Sequence, residues 1–160
     1  MKNVLTSMML FASLSLGMAS CDKGNDPISI QENEDSNLIT TNLSTSKMKI
    51  TIGSDVFTVT LYDNPSASAL RARLPLTINM TELNGNEKYY DLPNSLPANA
   101  SVGGNIKLGD LTLYGSNTLV LFYKGFNTSY SYTKLGYVDN PNGLATALAN
   151  GNVVVKFENK

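Results

Sequence analysis

Strict alternation of apolar and polar residues constrains this chain more than any other feature. In KMKITIG, Met48, Ile50 and Ile52 fall on one side and Lys47, Lys49 and Thr51 on the other. In VFTVTLY, Phe57, Val59 and Leu61 oppose Val56, Thr58 and Thr60, and Gly53-Ser54-Asp55 separates the two runs. A period of two marks a strand with one buried face, and two such runs around a short glycine-containing loop predict a β-hairpin. The pattern returns in LTINMTEL, Leu76 to Leu83, ahead of the turn pair Asn84-Gly85, and NEKYYDLP continues it until Pro93. NSLPANASVGG reads as a loop. NIKLGDLTLYG, NTLVLFYKGF and SYSYTKLGYVD read as further strands punctuated by Gly, Asn and Ser, and NVVVKFEN closes the chain as one more.

Two segments break the alternation. In DNPSASALRARL, Asn64 is a good N-cap, Pro65 suits the first helical position, and Ala67, Leu70 and Leu74 share one apolar face. Arg71 and Arg73 fall off that stripe and read as solvated, and Pro75 limits the helix to about Leu74. NPNGLATALANG reads as a second short helix, with Leu144 and Leu148 on one face and Asn150-Gly151 as a stop signal. A sheet of this many strands leaves unpaired edges unless it closes on itself. The expected fold is therefore mostly β: a closed barrel whose open ends two short helices can cover.

The N-terminus has a different character. Met1-Lys2-Asn3 is short and positive, Val4 to Met18 is apolar apart from small and hydroxyl residues, and LGMASC follows. The apolar run is shorter than the ~20 residues a membrane span needs, so residues 1–20 read as a signal peptide. MASC resembles the lipobox of bacterial lipoproteins. That resemblance implies a lipid on Cys21, the chain's only cysteine, which has no partner for a disulfide. The lipid would tether the protein to a membrane without spanning it. Residues 22–46 are polar, acidic and hydroxyl-rich, with no sustained period, and read as a flexible tether ahead of a domain at 47–160. Asp22 next to the cysteine also fits the surface-export tag of some Bacteroidetes lipoproteins.

Composition removes several kinds of chemistry. The 160-residue chain contains no His and no Trp, which excludes His-dependent triads and an ordinary zinc site. A formal net charge of −1, and eight tyrosines without a basic stripe, do not make a nucleic-acid platform. No glycine-rich loop has the spacing of a phosphate cradle. No cofactor and no metal are expected.

Three long runs carry a family resemblance: LYDNPSASALRARLPLTINMTELNGNEKYYDLP, GDLTLYGSNTLVLFYK and SYSYTKLGYVDNPNGLATALANGNVVVKFE. In order and wording they resemble the bacterial cyclophilin-like fold family, across nearly all of Lys47 to Glu158. The resemblance implies a closed eight-stranded cyclophilin-like β-barrel capped by two short helices, and it implies no established activity. Prolyl isomerases of this fold use an arginine on the strand after the first helix and a pocket with aromatics and a histidine. Here that strand, LTINMTEL, has no arginine, the only arginines are Arg71 and Arg73, and His and Trp are missing from the whole chain. Prolyl isomerase activity is not expected.

What remains is a set of candidate binding residues. Glu87 follows the Asn84-Gly85 turn beside Tyr89 and Tyr90, and Tyr114, Tyr123, Tyr130 and Tyr132 lie on neighbouring strands. Each has a plainer reading: Glu87 as a solvated turn residue, and Tyr130 and Tyr132, alternate on one strand, as scaffold. Together, Glu87, Tyr89, Tyr114, Tyr123, Tyr130 and Tyr132 suit an unknown small molecule, a peptide or an envelope protein. The preferred reading is a non-catalytic binding module at the envelope. The alternatives are an enzyme of unassigned class using the barrel cleft, or a redox accessory to a flavodoxin partner. The lipobox gives the first testable expectation: a mature chain that begins at lipidated Cys21. Mass spectrometry of the N-terminus with and without globomycin checks it, and a mature protein that keeps Met1 contradicts it.

Overall fold

A computed structural model describes residues 46–148 and 151–160. The segment read as a signal peptide, Cys21, and all but the last residue of the segment read as a tether lie outside the described residues. The elements are β1 (Lys47–Ile52), β2 (Asp55–Leu61), α1 (Pro65–Arg71), β3 (Leu76–Leu83), β4 (Glu87–Asp91), β5 (Ser101–Ile106), β6 (Asp110–Tyr114), β7 (Thr118–Phe122), β8 (Phe126–Val138), α2 (Leu144–Leu148) and β9 (Val153–Asn159).

All pairings are antiparallel. Eight strands follow one another in the order β2-β1-β9-β3-β4-β7-β6-β8, and β8 returns to β2, so these eight form a ring. The closing seam is short: Val59 pairs with Val138, Thr60 with Tyr137, and Leu61 with Gly136. A Cβ on Gly136 would lie 2.4 Å from the Thr60 carbonyl oxygen, so only glycine lets the two backbones approach this closely. Polar groups brace the same seam. The Asp139 carboxylate accepts hydrogen bonds from Lys47 Nζ at 2.7 Å and from the Thr60 hydroxyl, while the Asp139 amide donates to the Thr58 carbonyl at 2.9 Å. Burial pushes the Asp139 carboxyl up, but the hydrogen bonds from Lys47 and Thr60 and the charges of Lys47 and Lys160 outweigh it and hold the pKa below the usual value.

The inward face of each ring strand supplies the main core. Met48, Ile50, Val59, Met80, Leu113, Leu121, Leu135 and Phe157 are fully buried, and the two helices add Leu70, Leu144 and Leu148 to the same cluster. Helix α1 starts as expected, with the Asn64 side chain accepting the Ala67 amide at 2.8 Å and Pro65 at the first position. It ends at Arg71, earlier than expected, because the next turn tightens: the Arg73 and Leu74 amides bond the Leu70 and Arg71 carbonyls, three residues back. The arginines are not merely solvated. Arg73 donates to the Asn94 and Ser95 carbonyls at 2.7 Å each and ties down the loop after β4, and Arg71 donates to Ser46 Oγ at 2.7 Å.

A ninth strand departs from the expected fold. SVGG, read from composition as loop, forms the start of β5, and the expected single strand NIKLGDLTLYG is split by a turn at Lys107–Gly109. Gly109 adopts a φ of 92°, and the Asp110 carboxylate accepts the Lys107 amide at 2.8 Å. One of the glycines that argued against a strand fits β5 to β8: a Cβ on Gly103 would sit 2.9 Å from Thr128 Cγ2 and 3.1 Å from the Tyr132 ring. β5 pairs only with the first half of β8, outside the ring, from Ser101↔Tyr132 to Ile106↔Phe126.

The seam gives a direct test of what holds the ring together. Gly136→Val forces a side chain onto backbone, which has no rotamer to move away. It is expected to lower stability in urea by about 3 kcal/mol, at the upper end of overpacking costs. The same change at Gly53, where an added Cβ meets nothing within 4 Å and only the positive φ of 57° opposes a side chain, is expected to cost less; equal losses would contradict the role of the seam.

Candidate functional site

The β3–β4 hairpin positions the site. Its turn residues Asn84 and Gly85 both have positive φ, 56° and 68°, as a primed hairpin turn requires. The turn sets Leu83 opposite Glu87 and Glu82 opposite Lys88. From there alternation along β4 sorts side chains strictly. Lys88 and Tyr90 turn toward the ring interior, and Glu87, Tyr89 and Asp91 turn outward.

Register across the sheet then assembles an outer surface. Asp91 pairs with Thr118, Thr118 with Tyr114, and Tyr114 with Tyr132, so one row crosses β4, β7, β6 and β8. A second row joins Tyr89, Val120 and Thr112. Beneath lies a second apolar cluster, separate from the main core, of Ile106, Val120, Phe122 and Tyr132, with Tyr89 and Phe126 packed against it. Phe122 meets Phe126 and Tyr132 edge-on, with centroids 5.5 Å apart in both cases. Over this floor is a cavity of about 590 Å³. Val120, Phe126, Tyr132 and Tyr89 line it from that apolar cluster, and Tyr114, Tyr130, Thr128, Glu87 and Asn86 complete the lining.

Its electrostatics are one-sided. The cavity is lined by two carboxylates, Glu87 and Asp91, and by no Lys or Arg. Asp91 accepts the Thr118 hydroxyl at 2.6 Å. Glu87 is only 7% exposed, and among the described residues nothing donates a hydrogen bond to its carboxylate and no cation pairs with it. Burial, with the nearby Glu82 charge adding to it, raises its pKa. Asn86 Oδ1 is likewise buried without a donor among the described residues. Burial and the Glu87 charge, with smaller contributions from Tyr114 and Tyr130, push the Tyr132 phenol up to about 12, so it stays protonated. The described residues hold no cluster of three or more metal-ligating side chains.

Five of the six residues singled out from sequence meet here: Glu87, Tyr89, Tyr114, Tyr130 and Tyr132 all line the cavity. Glu87 does so as a buried group rather than a solvated turn residue. Tyr123 does not join them. Glu87 stands opposite Phe122, so Tyr123, one residue on, faces the other side of the sheet. There its hydroxyl meets both Glu82 carboxylate oxygens, at 2.7 and 2.8 Å, and its ring lies 5.2 Å from Lys88 Nζ. Asn86, Asp91, Thr118, Val120, Phe126 and Thr128 also line the cavity and were not singled out. Asp91 was within reach, since it shares the alternation of Glu87 and Tyr89; the rest required the cross-strand register.

A family model described as the cyclophilin-like family matches residues 50–158. The chain belongs to the cyclophilin-like family. Among solved structures, that of a hypothetical protein from Archaeoglobus fulgidus is similar at 16% identity, over 72% of this chain and 95% of that one, with a TM-score of 0.49. No curated protein matches. Within this cyclophilin-like domain, then, the cavity lies on the outer face of the ring, and the Glu82, Lys88 and Tyr123 cluster lies across the sheet from it.

That inner cluster yields a stability test. Lys88 is fully buried, and its ammonium donates to Glu82 and to the Gly151 carbonyl. Removing Glu82 strands a buried charge, so Glu82→Ala is expected to cost about 3 kcal/mol. Lys88→Met leaves only a carboxylate that is 28% exposed, and is expected to cost less. Burial pushes the Glu82 carboxyl up, but hydrogen bonds from Lys88, Tyr123 and the Gly85 amide, and the Lys88 charge, outweigh it and lower its pKa from 4.5. A lowered folded pKa means that this stability is fully present above the ordinary value and is lost as pH falls through the folded one. Urea titrations from neutral to acid pH check both points. The Glu82→Ala profile is expected to be flatter below 4.5 than the parent's.

Proposed function

We propose that the cyclophilin-like domain is a non-catalytic binding module whose ligand occupies the tyrosine-lined outer cavity. The ring of eight strands is read as the barrel of the cyclophilin fold. The observation that carries the proposal is the cavity itself: about 590 Å³, with an apolar floor and a buried, unpartnered Glu87 in its wall. Small-molecule sites commonly have that size and that mix of apolar surface and a few placed polar groups. The groups expected of a prolyl isomerase are not supplied. No Arg lines the cavity, and Arg73 is engaged by the Asn94 and Ser95 carbonyls. The two carboxylates make a poor acid–base pair. Glu87 and Asp91 are four residues apart on one strand, roughly 13 Å of backbone at the usual rise, beyond the ~5–9.5 Å of paired catalytic carboxylates.

The same reading places the protein at the bacterial envelope, anchored to a membrane by lipid on Cys21. LGMASC and the polar segment behind it support this. Among the described residues no helix is long and apolar enough to cross a membrane.

A fragment screen by ligand-observed NMR tests the binding reading. Tyr114→Ala and Tyr130→Ala, at exposed positions, are expected to weaken cavity hits while leaving the melting temperature within a few degrees. Hits indifferent to both changes, or no hits, overturn it. A proline-peptide isomerisation assay is expected to show no acceleration; acceleration that scales with protein and survives repurification overturns the non-catalytic assignment.

A further inference from the structure

Resting on the reading of this cavity as a ligand site, we infer that it takes a small organic cation with N–H donors, an ammonium or guanidinium group. The cation would be held against Glu87 and flanked by the rings of Tyr114, Tyr130 and Tyr132.

Three features point to that chemistry. The first is the unpaired carboxylate. Glu87 is more than nine-tenths buried in the cavity wall with no donor and no counter-ion among the described residues. The side chain is shielded from bulk water while its carboxylate opens on the cavity, so an incoming cation supplies the partner that the described residues do not. Neighbouring lysines are engaged elsewhere: Lys88 Nζ bonds Glu82 and the Gly151 carbonyl across the sheet, and Lys124 Nζ lies 5.9 Å from the Tyr123 ring centroid.

The second feature is the kind of acceptor. A carboxylate that receives no hydrogen bond from the described residues favours a cation that donates, rather than a quaternary ammonium. Asn86 Oδ1, one residue away, is also without a donor among the described residues but is closed off from the cavity surface.

The third is the arrangement of rings. Tyr114 meets Tyr130 at 6.2 Å and 88°, and Tyr132 at 5.7 Å and 53°. Rings set at steep angles turn their faces in different directions, and the face of a phenol ring attracts cations. Asp91 adds a second negative charge to the lining, and no cation opposes it.

Isothermal titration of the full chain with matched probes tests the inference. Benzamidine is expected to bind about tenfold or more tighter than benzamide, a difference of about 1.4 kcal/mol. Benzylamine is expected to exceed both benzyl alcohol and benzyltrimethylammonium. Glu87→Gln is expected to erase the preference for benzamidine without lowering the melting temperature, since it removes a charge that burial disfavours. Tyr130→Phe is expected to keep most binding and Tyr130→Ala to lose several-fold. An acetylated Gly-Arg-Gly amide separates the sources of the cation. Weaker binding than benzamidine supports a free small molecule, and tighter binding overturns that assignment in favour of a peptide side chain. Equal affinity for benzamide and benzamidine overturns cation recognition while leaving the cavity a binding site. Equal affinity for benzylamine and benzyltrimethylammonium overturns the requirement for N–H donors. Absence of binding by every cationic probe overturns the inference even if the fragment screen finds neutral ligands.

Discussion

The pairing of β2 with β8 is the contact on which the rest of the molecule depends. Without it the sheet would be an open ribbon with β2 at one edge, and the inward residues of β1, β2, β8 and β9 would lose their enclosure. The pairing needs a backbone approach that a single methyl group would block, and Gly136 supplies it. Around this point Asp139, Lys47 and Thr60 join three strand ends through side chains. Closure thus combines a steric permission with a polar brace.

Closure also creates two chemically distinct faces. On β4 the consecutive residues Glu87 and Lys88 carry opposite charges and are both buried, yet they do not neutralise each other. Alternation sends them to opposite sides of the sheet. Lys88 finds Glu82, Tyr123 and a carbonyl inside the ring; Glu87 is left on the outer wall without a partner. The inner arrangement is satisfied and supports the fold. The outer one is unsatisfied among the described residues, and that local inconsistency is what motivates the proposed ligand site.

The architecture was legible in the sequence wherever one physical rule dominated. Alternation marked β1, β2 and β3, and Asn64-Pro65 marked the start of α1. Legibility failed where two rules competed. Glycines spoke against a strand at 101–106, but close packing on β8 requires one of them. The same limit governs the site. Glu87, Tyr89, Tyr114, Tyr130 and Tyr132, singled out as a carboxylate amid an excess of tyrosine, were brought together at the cavity by cross-strand register. Tyr123 was not, because its face depends on the pairing of Phe122 with Glu87, and a displacement of one residue reverses it. Burial of Glu87 was equally invisible, since alternation along one strand says which side a residue faces and not what covers it.

β5 carries a consequence for how the molecule behaves in a crowd of its own kind. Every ring strand has a neighbour on both sides, whereas among the described residues β5 has one only on the side of β8. An open edge is where a second chain can add its backbone and start a chain of sheets. Here the pairing of β5 with β8 shifts register between Val102 and Gly104, and Gly104 stands at a φ of 59°. The row of amides and carbonyls along the open side is therefore broken near its middle into pieces too short to template an extended partner. The irregularity that disguised this strand in the sequence also makes its edge a poorer template for a second chain.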